Sequence, residues 1–184
     1  MRALAVTVSN RAATGVYEDR SGPVLVSLLR SAGCAVDGPV VVADGDPVSD
    51  VLRDAVASGY DLVVTTGGTG LTPLDLTPEM TRRVLDREIP GIAEALRAYG
   101  ASAGVASAIL SRGIAGVAGR TLVVNLPGSA GGVRDGMAVL GPVLEHAVSQ
   151  IHGGDHVRVP EAVTDAVTDA VTEVARGAVA ETGE

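Results

Sequence analysis

The sequence predicts an α/β protein with an open, mostly parallel β-sheet that helices cover on both faces. Short apolar runs rich in β-branched residues recur along the chain and have the length of buried strands. Segments with the apolar spacing of helices lie between them, and prolines and glycines mark their ends. Such alternation is typical of parallel sheets, in which ligands bind beyond the carboxyl ends of the strands. The loops after Ser9, Val42 and Thr66 are therefore the predicted location of a site.

The strands are predicted from apolar runs bounded by polar or glycine-containing segments. The last two are joined through Ala118-Gly119-Arg120 and indicate a hairpin. Together the predicted strands cover residues 3–9, 35–42, 61–66, 114–117 and 121–125.

Helix starts are marked by Ser, Asp or Thr shortly before a proline, and glycines mark several helix ends. Ser21 is predicted to cap the first helix, and Thr77 is predicted to cap the third. Residues 10–20 are expected to form a polar loop. The predicted helices cover residues 21–33, 46–59, 77–87, 92–98 and a glycine-interrupted stretch up to about residue 151.

The composition favours one globular domain with an aliphatic core. Apolar residues make up 46% of the 184 residues, but Phe and Trp are absent. No apolar run reaches the roughly 18 residues that span a bilayer, and the start has no signal-peptide pattern. Cys34 is the only cysteine, which excludes an intrachain disulfide. We expect a cytoplasmic protein that has no membrane partner.

Charge and residue usage exclude several function classes. The net charge of −8 and the scarcity of aromatic residues argue against nucleic-acid binding. All 14 basic residues are Arg, so a Walker lysine and a Schiff-base lysine are both excluded. Because the only histidines are His146, His152 and His156, a multi-histidine zinc site in the main domain is excluded as well.

A glycine-rich loop directly follows the third predicted strand. In the run Thr65-Thr66-Gly67-Gly68-Thr69-Gly70, three glycines allow backbone amides to approach a phosphate closely. The pattern is neither a Walker loop nor a dinucleotide-binding fingerprint. A tight turn without a ligand is the alternative interpretation.

Two aspartates are predicted to converge on this loop. Asp75 follows it by five residues, and Asp44 follows the second strand at the same edge of the sheet. Both could instead be helix-terminal acids, and Asp46 competes with Asp44 for the same role. Carboxylates beside a phosphate site are the usual ligands of Mg²⁺, so the pair would suit phosphoryl or nucleotidyl transfer.

Other candidates carry weaker signals. Ser9 and Asn10 are candidates that could simply be turn residues, and Arg112 is either a surface charge or a bidentate phosphate clamp. Residues 125–129 could form no more than a strand-to-helix turn. The acidic tail, residues 153–184, repeats a four-residue unit. Because a helix has 3.6 residues per turn, the valines of this repeat would not stay on one face of a helix. We expect it to be mobile or marginally helical, with a partner-binding helix as the alternative.

Four motifs resemble the MogA/MoaB family of molybdenum-cofactor biosynthesis proteins. They are TTGGTGLTPLDLTPE (65–79), REIPGIAE (87–94), ILSR (109–112) and VNLPGS (124–129), and the segment 7–22 is also similar to the family's opening loop. The resemblance implies a three-layer α/β/α fold over residues 1–152 and a homo-oligomer, either a trimer or a hexamer. It also implies a molybdate-insertion protein as a partner.

The resemblance further implies adenylylation of molybdopterin by ATP with Mg²⁺ and release of pyrophosphate. The resemblance implies that Asp75 and Asp44 are catalytic and bind the metal. The chain departs from the family at Asn10, where many relatives have Asp. The positions that match the family's pterin- and nucleotide-binding pocket are Ser9, Thr66, Gly67, Gly68, Thr69, Gly70, Glu94, Ser107, Ser111, Arg112, Asn125, Pro127, Gly128 and Ser129. A non-catalytic molybdopterin-binding protein of the same fold is the main alternative, and a molybdate-insertion domain is a third.

Overall fold

The computed structural model describes residues 1–154 of the chain. The predicted tail therefore lies almost wholly outside the described residues. Among the helices within residues 1–154, none is both long and apolar enough to cross a membrane.

A six-stranded mixed sheet forms the centre of this part of the chain. The strands lie in the order β2-β1-β3-β6-β5-β4. The first four in this order are parallel to one another, whereas β5 runs antiparallel to β6 and β4 antiparallel to β5. The bounds are β1 Arg2–Val8, β2 Ala35–Val42, β3 Leu62–Thr66, β4 Arg87–Glu88, β5 Ala115–Ala118 and β6 Thr121–Leu126. The mostly parallel sheet and the hairpin are thus confirmed.

Seven α-helices and two short 3₁₀ helices connect the strands or follow the last of them in the described part of the chain. The α-helices are α1 Asn10–Ala13, α2 Ser21–Ser31, α3 Asp46–Ala57, α4 Thr77–Arg82, α5 Pro90–Ser102, α6 Ala130–Leu140 and α7 Leu144–Ile151, and the 3₁₀ helices cover Ala106–Leu110 and Gly141–Val143.

The helices form a layer on each face of the sheet, as the three-layer prediction requires. Leu25 and Leu29 of α2 and Leu140 of α6 are fully buried in the cluster on one face. On the opposite face, Val48 and Leu52 of α3 are equally buried. Each fully buried aliphatic side chain contributes about 1.5–3 kcal/mol of transfer free energy, so the core needs no Phe or Trp.

The site lies where the connections of neighbouring strands diverge. The chain leaves β1 toward α2, which packs on one face of the sheet, and leaves β3 toward α4, whose Met80 is buried in the cluster on the other face. Such divergence opens a crevice beyond the carboxyl ends of the two strands. Ser9 follows β1 and Gly67 follows β3, so both predicted loops lie at this crevice.

Several local predictions were wrong. Residues 10–13 form the short helix α1 because the Ser9 hydroxyl oxygen accepts a hydrogen bond from the Ala12 amide at 3.2 Å. Ser21 is the first residue of α2 rather than its cap, since Asp19 accepts hydrogen bonds from the Ser21 and Gly22 amides at 3.0 and 2.9 Å.

The third predicted helix is shorter than expected, and two elements were missed. Thr77 opens α4 without capping it, and the helix ends at Arg82 because the chain then turns into β4, where Arg87 pairs with Val117. The two-residue strand β4 and the 3₁₀ helix at 106–110 are too short to produce a periodic signal. In contrast, α5 extends beyond the predicted 92–98 at both ends.

Candidate functional site

Two adjoining cavities occupy the crevice at the carboxyl ends of the parallel strands. The α6 cavity, of about 670 Å³, is bounded by α5, the 3₁₀ helix at 106–110 and α6. The β1 cavity, of about 650 Å³, is bounded by the segment after β1, the start of α2 and the glycine-rich loop. Four residues line both cavities and mark their junction: Gly68, Asp75, Gly128 and Ser129.

The glycine-rich loop needs two of its glycines for steric reasons. Gly67 and Gly68 have φ values of 103° and 63°, which L-residues rarely adopt. A Cβ on Gly67 would overlap the carbonyl oxygen of Val8, and a Cβ on Gly68 would overlap the side chains of Asp44 and Thr77. The absence of a side chain at Gly68 therefore lets Asp44 lie directly against the loop.

Asp44 is half-buried and tied to the loops around it. Its carboxylate accepts hydrogen bonds from the backbone amides of Gly45 at 2.8 Å and Leu76 at 3.1 Å. Burial raises the pKa of Asp44 above its ordinary value of 3.8, and the negative charge of Asp75 raises it further, whereas the amide hydrogen bonds lower it. The site thus holds a carboxylate whose charge lacks full compensation within the protein.

The alternative acid, Asp46, points elsewhere. Its side chain is exposed and forms an ion pair with Arg83 of α4 at 3.2 Å. Of the two residues, it is Asp44 that lines the β1 cavity beside the glycine-rich loop.

Asp75 lies at the junction of the two cavities. Its carboxylate accepts a hydrogen bond from the Thr72 amide at 2.9 Å and so closes the turn that precedes α4. No side chain caps the first turn of α4, so the interpretation of Asp75 as the cap of that helix does not hold. Gly70 lies so close that a Cβ there would be 2.9 Å from the Asp75 carboxylate.

Arg112 supports the loop instead of facing a ligand. Its Nε donates to the Gly70 carbonyl oxygen at 2.7 Å, and its terminal nitrogens donate to the Asp75 carbonyl oxygen and to the Glu79 carboxylate. The lining of the two cavities does not include it. Arg112 therefore stabilises the Gly70–Asp75 segment by hydrogen bonds, and these contacts do not support its predicted role as a phosphate clamp.

Asn125 is also used inside the protein. Its side-chain amide donates to the hydroxyls of Thr65 and Thr81, both at 3.0 Å, and accepts from the Ile114 amide at 3.2 Å. It borders the α6 cavity, but these bonds hold β6 against β3 and α4. These hydrogen bonds give Asn125 a structural role, and its predicted ligand contact stays a prediction.

The turn after β6 is held against the glycine-rich loop. The Thr66 hydroxyl donates to the Pro127 carbonyl oxygen at 2.7 Å, and a Cβ on Gly128 would lie 3.1 Å from the Gly67 Cα. Ser129 then caps α6 by accepting from the Gly132 amide at 3.0 Å. The positive end of α6 therefore faces the cavity junction, where an anion would be favourable.

The remaining predicted residues divide between the two cavities. Thr69, Ser107 and Ser111 line the α6 cavity, and Ser9 lines the β1 cavity. Glu94 lies exposed on α5 and lines neither cavity. One turn later on the same helix, Arg97 lines the α6 cavity and donates to the carbonyl oxygens of Ser111 and Gly113 at 3.3 and 3.2 Å.

Sequence reasoning missed several residues of the cavities. Arg97 and Asp135 line the α6 cavity, whereas Arg11, Tyr17 and Arg20 line the β1 cavity. Helical spacing from Ala93 would have placed Arg97 on the buried side of α5. The three β1-cavity residues lie in a segment without periodicity. The loop after Ser9 was predicted to be part of the site, but no signal singled out these three side chains.

The two aspartates fit a magnesium ion that is shared with a phosphate ligand. Within residues 1–154 there is no cluster of three or more His, Cys, Asp or Glu side chains that could hold a metal by itself. Mg²⁺, however, is usually held by one or two carboxylates together with substrate phosphates and water. The incompletely compensated charge of Asp44 beside Asp75 is consistent with such a site.

Comparison with known proteins agrees with this architecture. Residues 4–146 match the family described as a probable molybdopterin binding domain. The molybdopterin adenylyltransferase of Helicobacter pylori strain J99 is 35% identical over 155 residues, which cover 80% of this chain and 86% of that protein. The structure of the Mog protein from Mycobacterium ulcerans is 51% identical and superposes with a TM-score of 0.77, covering 81% of this chain and 97% of that one.

The molybdenum cofactor biosynthesis bifunctional protein of Synechococcus elongatus is 38% identical over 155 residues, which cover 84% of this chain but 48% of that protein. The chain thus spans about half the length of this relative and of a second bifunctional relative. The match over residues 4–146 and the likeness to solved MogA and MoaB structures agree with the fold. The chain belongs to the MogA/MoaB family of molybdenum-cofactor biosynthesis proteins.

Proposed function

We propose that this chain transfers the AMP group of ATP to the terminal phosphate of molybdopterin and releases pyrophosphate. The observation that carries this proposal is the position of Asp44 against Gly68 and of Asp75 beside Gly70, on the glycine-rich loop where the two cavities meet. A chain that only binds a pterin has little need for two carboxylates beside a phosphate site. The name of the Helicobacter pylori relative supports the same reaction.

The two cavities differ in a way that suits the two substrates. Leu96, Val105 and Leu110 give the α6 cavity apolar walls, and its volume is in the range of small-molecule sites. We assign it to the pterin. The β1 cavity has Arg11 and Arg20 for phosphate charge and Tyr17 for stacking on a base, so we assign it to ATP. The reacting phosphates would then meet at the junction.

The proposed reaction needs no general base. An oxygen of the molybdopterin phosphate forms a bond to the α-phosphorus of ATP. The bond from that phosphorus to the oxygen that bridges the α- and β-phosphates breaks, and this oxygen leaves with pyrophosphate. A phosphate monoester has a second pKa of about 6 and is already largely deprotonated near neutrality. The protein's task is therefore to position two anions and stabilise the charge that develops.

The residues at the junction are suited to that task. The backbone of the Gly67–Gly70 loop and the N-terminus of α6 offer amides to phosphate oxygens. Asp44 and Asp75 would hold Mg²⁺, which when bound would neutralise phosphate charge and stabilise the leaving pyrophosphate. Arg112, which lines neither cavity, holds the Asp75 segment in place by donating hydrogen bonds to the carbonyl oxygens of Gly70 and Asp75.

The direct test is to incubate the protein with molybdopterin, ATP and Mg²⁺ and to search for the adenylylated pterin and released pyrophosphate. Formation of both products in equal amounts is the expected result. Binding of molybdopterin without either product would instead favour the non-catalytic pterin-binding protein. The homo-oligomer, the molybdate-insertion partner and the cytoplasmic location remain predictions.

A further inference from the structure

Helix α6 presents one side chain to the cavity that it borders. Of its residues, Gly131, Gly132, Asp135 and Gly136 line the α6 cavity, and only Asp135 has a side chain. The two glycines beside it are required by packing, because a Cβ on Gly132 would lie 2.8 Å from the Pro127 Cβ and one on Gly136 would lie 2.6 Å from a Leu126 methyl. The helix therefore packs tightly on β6 and the turn after it, and projects a single carboxylate over the cavity.

The Asp135 carboxylate has no partner among the described residues. It is partly buried, yet no side chain or amide in residues 1–154 donates a hydrogen bond to it or pairs with it. The cation of the cavity wall, Arg97, instead donates to the carbonyl oxygens of Ser111 and Gly113. A carboxylate that is partly withdrawn from water gains most from a ligand that brings hydrogen-bond donors.

The position of Asp135 also defines a direction in the cavity. It lies six positions after the Ser129 cap, which corresponds to roughly 9 Å along the helix axis. An anionic group is favoured at the N-terminal end, beside Ser129 and the glycine-rich loop, and disfavoured beside the Asp135 carboxylate. The cavity thus suits an elongated ligand with a phosphate at one end and donors at the other.

We propose that Asp135 recognises the 2-amino-4-oxopyrimidine edge of the pterin ring. This edge presents two adjacent donors, the ring N3–H and the 2-amino group, to which the two oxygens of one carboxylate can bind together. The proposal rests on the assignment of the α6 cavity to molybdopterin. It makes Asp135 a specificity-determining residue that selects 2-aminopterins and directs their phosphate toward Asp75.

The test compares two ligands that differ at one position. One is a 6-substituted pterin with a phosphorylated side chain, and the other is the corresponding lumazine, which has an oxygen in place of the 2-amino group. Binding is measured by ligand fluorescence without ATP. We expect the native protein to prefer the pterin by on the order of 10-fold or more, since its carboxylate gains a charge-assisted hydrogen bond from the 2-amino group.

The informative variant is Asp135→Asn, because a carboxamide offers one donor and one acceptor. It should weaken pterin binding by on the order of 10- to 100-fold and reduce or reverse the preference over lumazine. The matched control is Asp54→Asn, which removes the same charge from the exposed side of α3. If Asp135 had a purely structural role, its replacement would weaken the binding of both ligands equally and leave the preference unchanged.

The outcomes separate this proposal from the proposed reaction. If Asp135→Asn binds both ligands as the native protein does, the inference is overturned even where adenylylation is observed. If the preference shifts as expected but no adenylylated product forms, the recognition role stands and the proposed reaction fails. If the native protein binds neither ligand, the α6 cavity is not a pterin site and both proposals fall.

Discussion

The side-chain oxygen of Asn10 accepts a hydrogen bond from the backbone amide of Asp44 at 2.9 Å. This contact joins the loop after β1 to the loop after β2 and helps to hold Asp44 against Gly68. Many relatives are expected to have Asp at this position, and a carboxylate could accept the same bond. The departure from the family pattern at Asn10 therefore preserves the acceptor while removing a negative charge from a site that already holds two aspartates.

We predict that Asn10→Ala lowers the adenylyl-transfer rate by about 5-fold, because loss of a hydrogen bond of about 1 kcal/mol loosens the Asp44 segment. Asn10→Asp should retain a rate within a few-fold of the native protein. The measurement is pyrophosphate release with molybdopterin and ATP, alongside a thermal melt. Equal loss in both variants would show that the amide group, and not the acceptor oxygen, is what matters at this position.

The raised pKa of Asp44 predicts a pH dependence. The native state binds a proton at Asp44 more tightly than the unfolded chain does, so this group alone reduces stability as pH rises from its ordinary pKa of 3.8 through the raised value. Activity should change in the opposite direction, because only the ionised carboxylate can hold Mg²⁺.

The rate of pyrophosphate release is therefore expected to fall as pH drops through the raised pKa of Asp44. Higher Mg²⁺ concentrations should move this fall to lower pH, since the cation competes with the proton. The measurement is a pH–rate profile at two Mg²⁺ concentrations. A fall that does not move with Mg²⁺ would contradict the assignment of Asp44 as a metal ligand.

The regular elements could be predicted from sequence because their signals are local. The run 35–42 gives the bounds of β2 as observed, and Asp46 with Pro47 correctly marks the start of α3. The short elements could not be predicted in this way. The two residues of β4 form a strand only because β5 lies beside them, and α1 forms because Ser9 turns back to cap it.

The candidate site was predictable where the backbone itself carries the function. The positive φ angles at positions 67 and 68 favour glycine there. Asp44 comes soon after the end of β2, and Asp75 comes soon after the glycine-rich loop. The roles of Arg112 and Asn125 were not predictable, because their partners lie at least 11 residues away in sequence. Asp135 gave no signal, since its partner-free position over a cavity depends on how α6 packs.

Gly68→Ala tests the packing of Asp44 against the loop. The added Cβ would overlap the side chains of Asp44 and Thr77 and would impose strain at a φ of 63°. We expect a loss of about 1–3 kcal/mol in the free energy of unfolding and a marked loss of transfer activity. Gly141→Ala is the control, because a Cβ there meets no atom within 4 Å and φ is −51°. That variant should be fully active, and a similar loss in it would contradict the steric argument.

The predicted oligomer has a candidate contact surface on α5 and the 3₁₀ helix that follows it. Tyr99, Ile109 and Leu110 expose 42%, 65% and 50% of their surface, respectively. We predict a trimer or hexamer by light scattering at micromolar concentration. Ile109→Glu should shift the protein toward the monomer, whereas Val16→Glu, on the loop before α2, should not. A monomeric native protein would contradict the prediction.

Asp75→Asn is the most direct test of the proposed reaction. Asp75 lines both cavities, and its carboxylate lies beside Gly70 at the point where the phosphates of ATP and molybdopterin would meet. The chain contains no lysine to neutralise those phosphates, so the proposed reaction relies on Mg²⁺ held by carboxylates. An Asn side chain can still accept the hydrogen bond from the Thr72 amide, so the turn before α4 should persist.

We therefore expect Asp75→Asn to fold normally and to bind the pterin, but to release pyrophosphate on the order of 10²-fold more slowly or worse, as is typical when a key electrostatic group is removed. The measurement is a Mg²⁺ titration of the rate, with a thermal melt and a pterin-binding isotherm on the same preparation. Asp54→Asn, which removes a charge from the exposed side of α3, is the matched control and should be fully active. Near-normal turnover of Asp75→Asn at ordinary Mg²⁺ would reduce Asp75 to a residue that closes a turn, and the proposed mechanism would then be wrong.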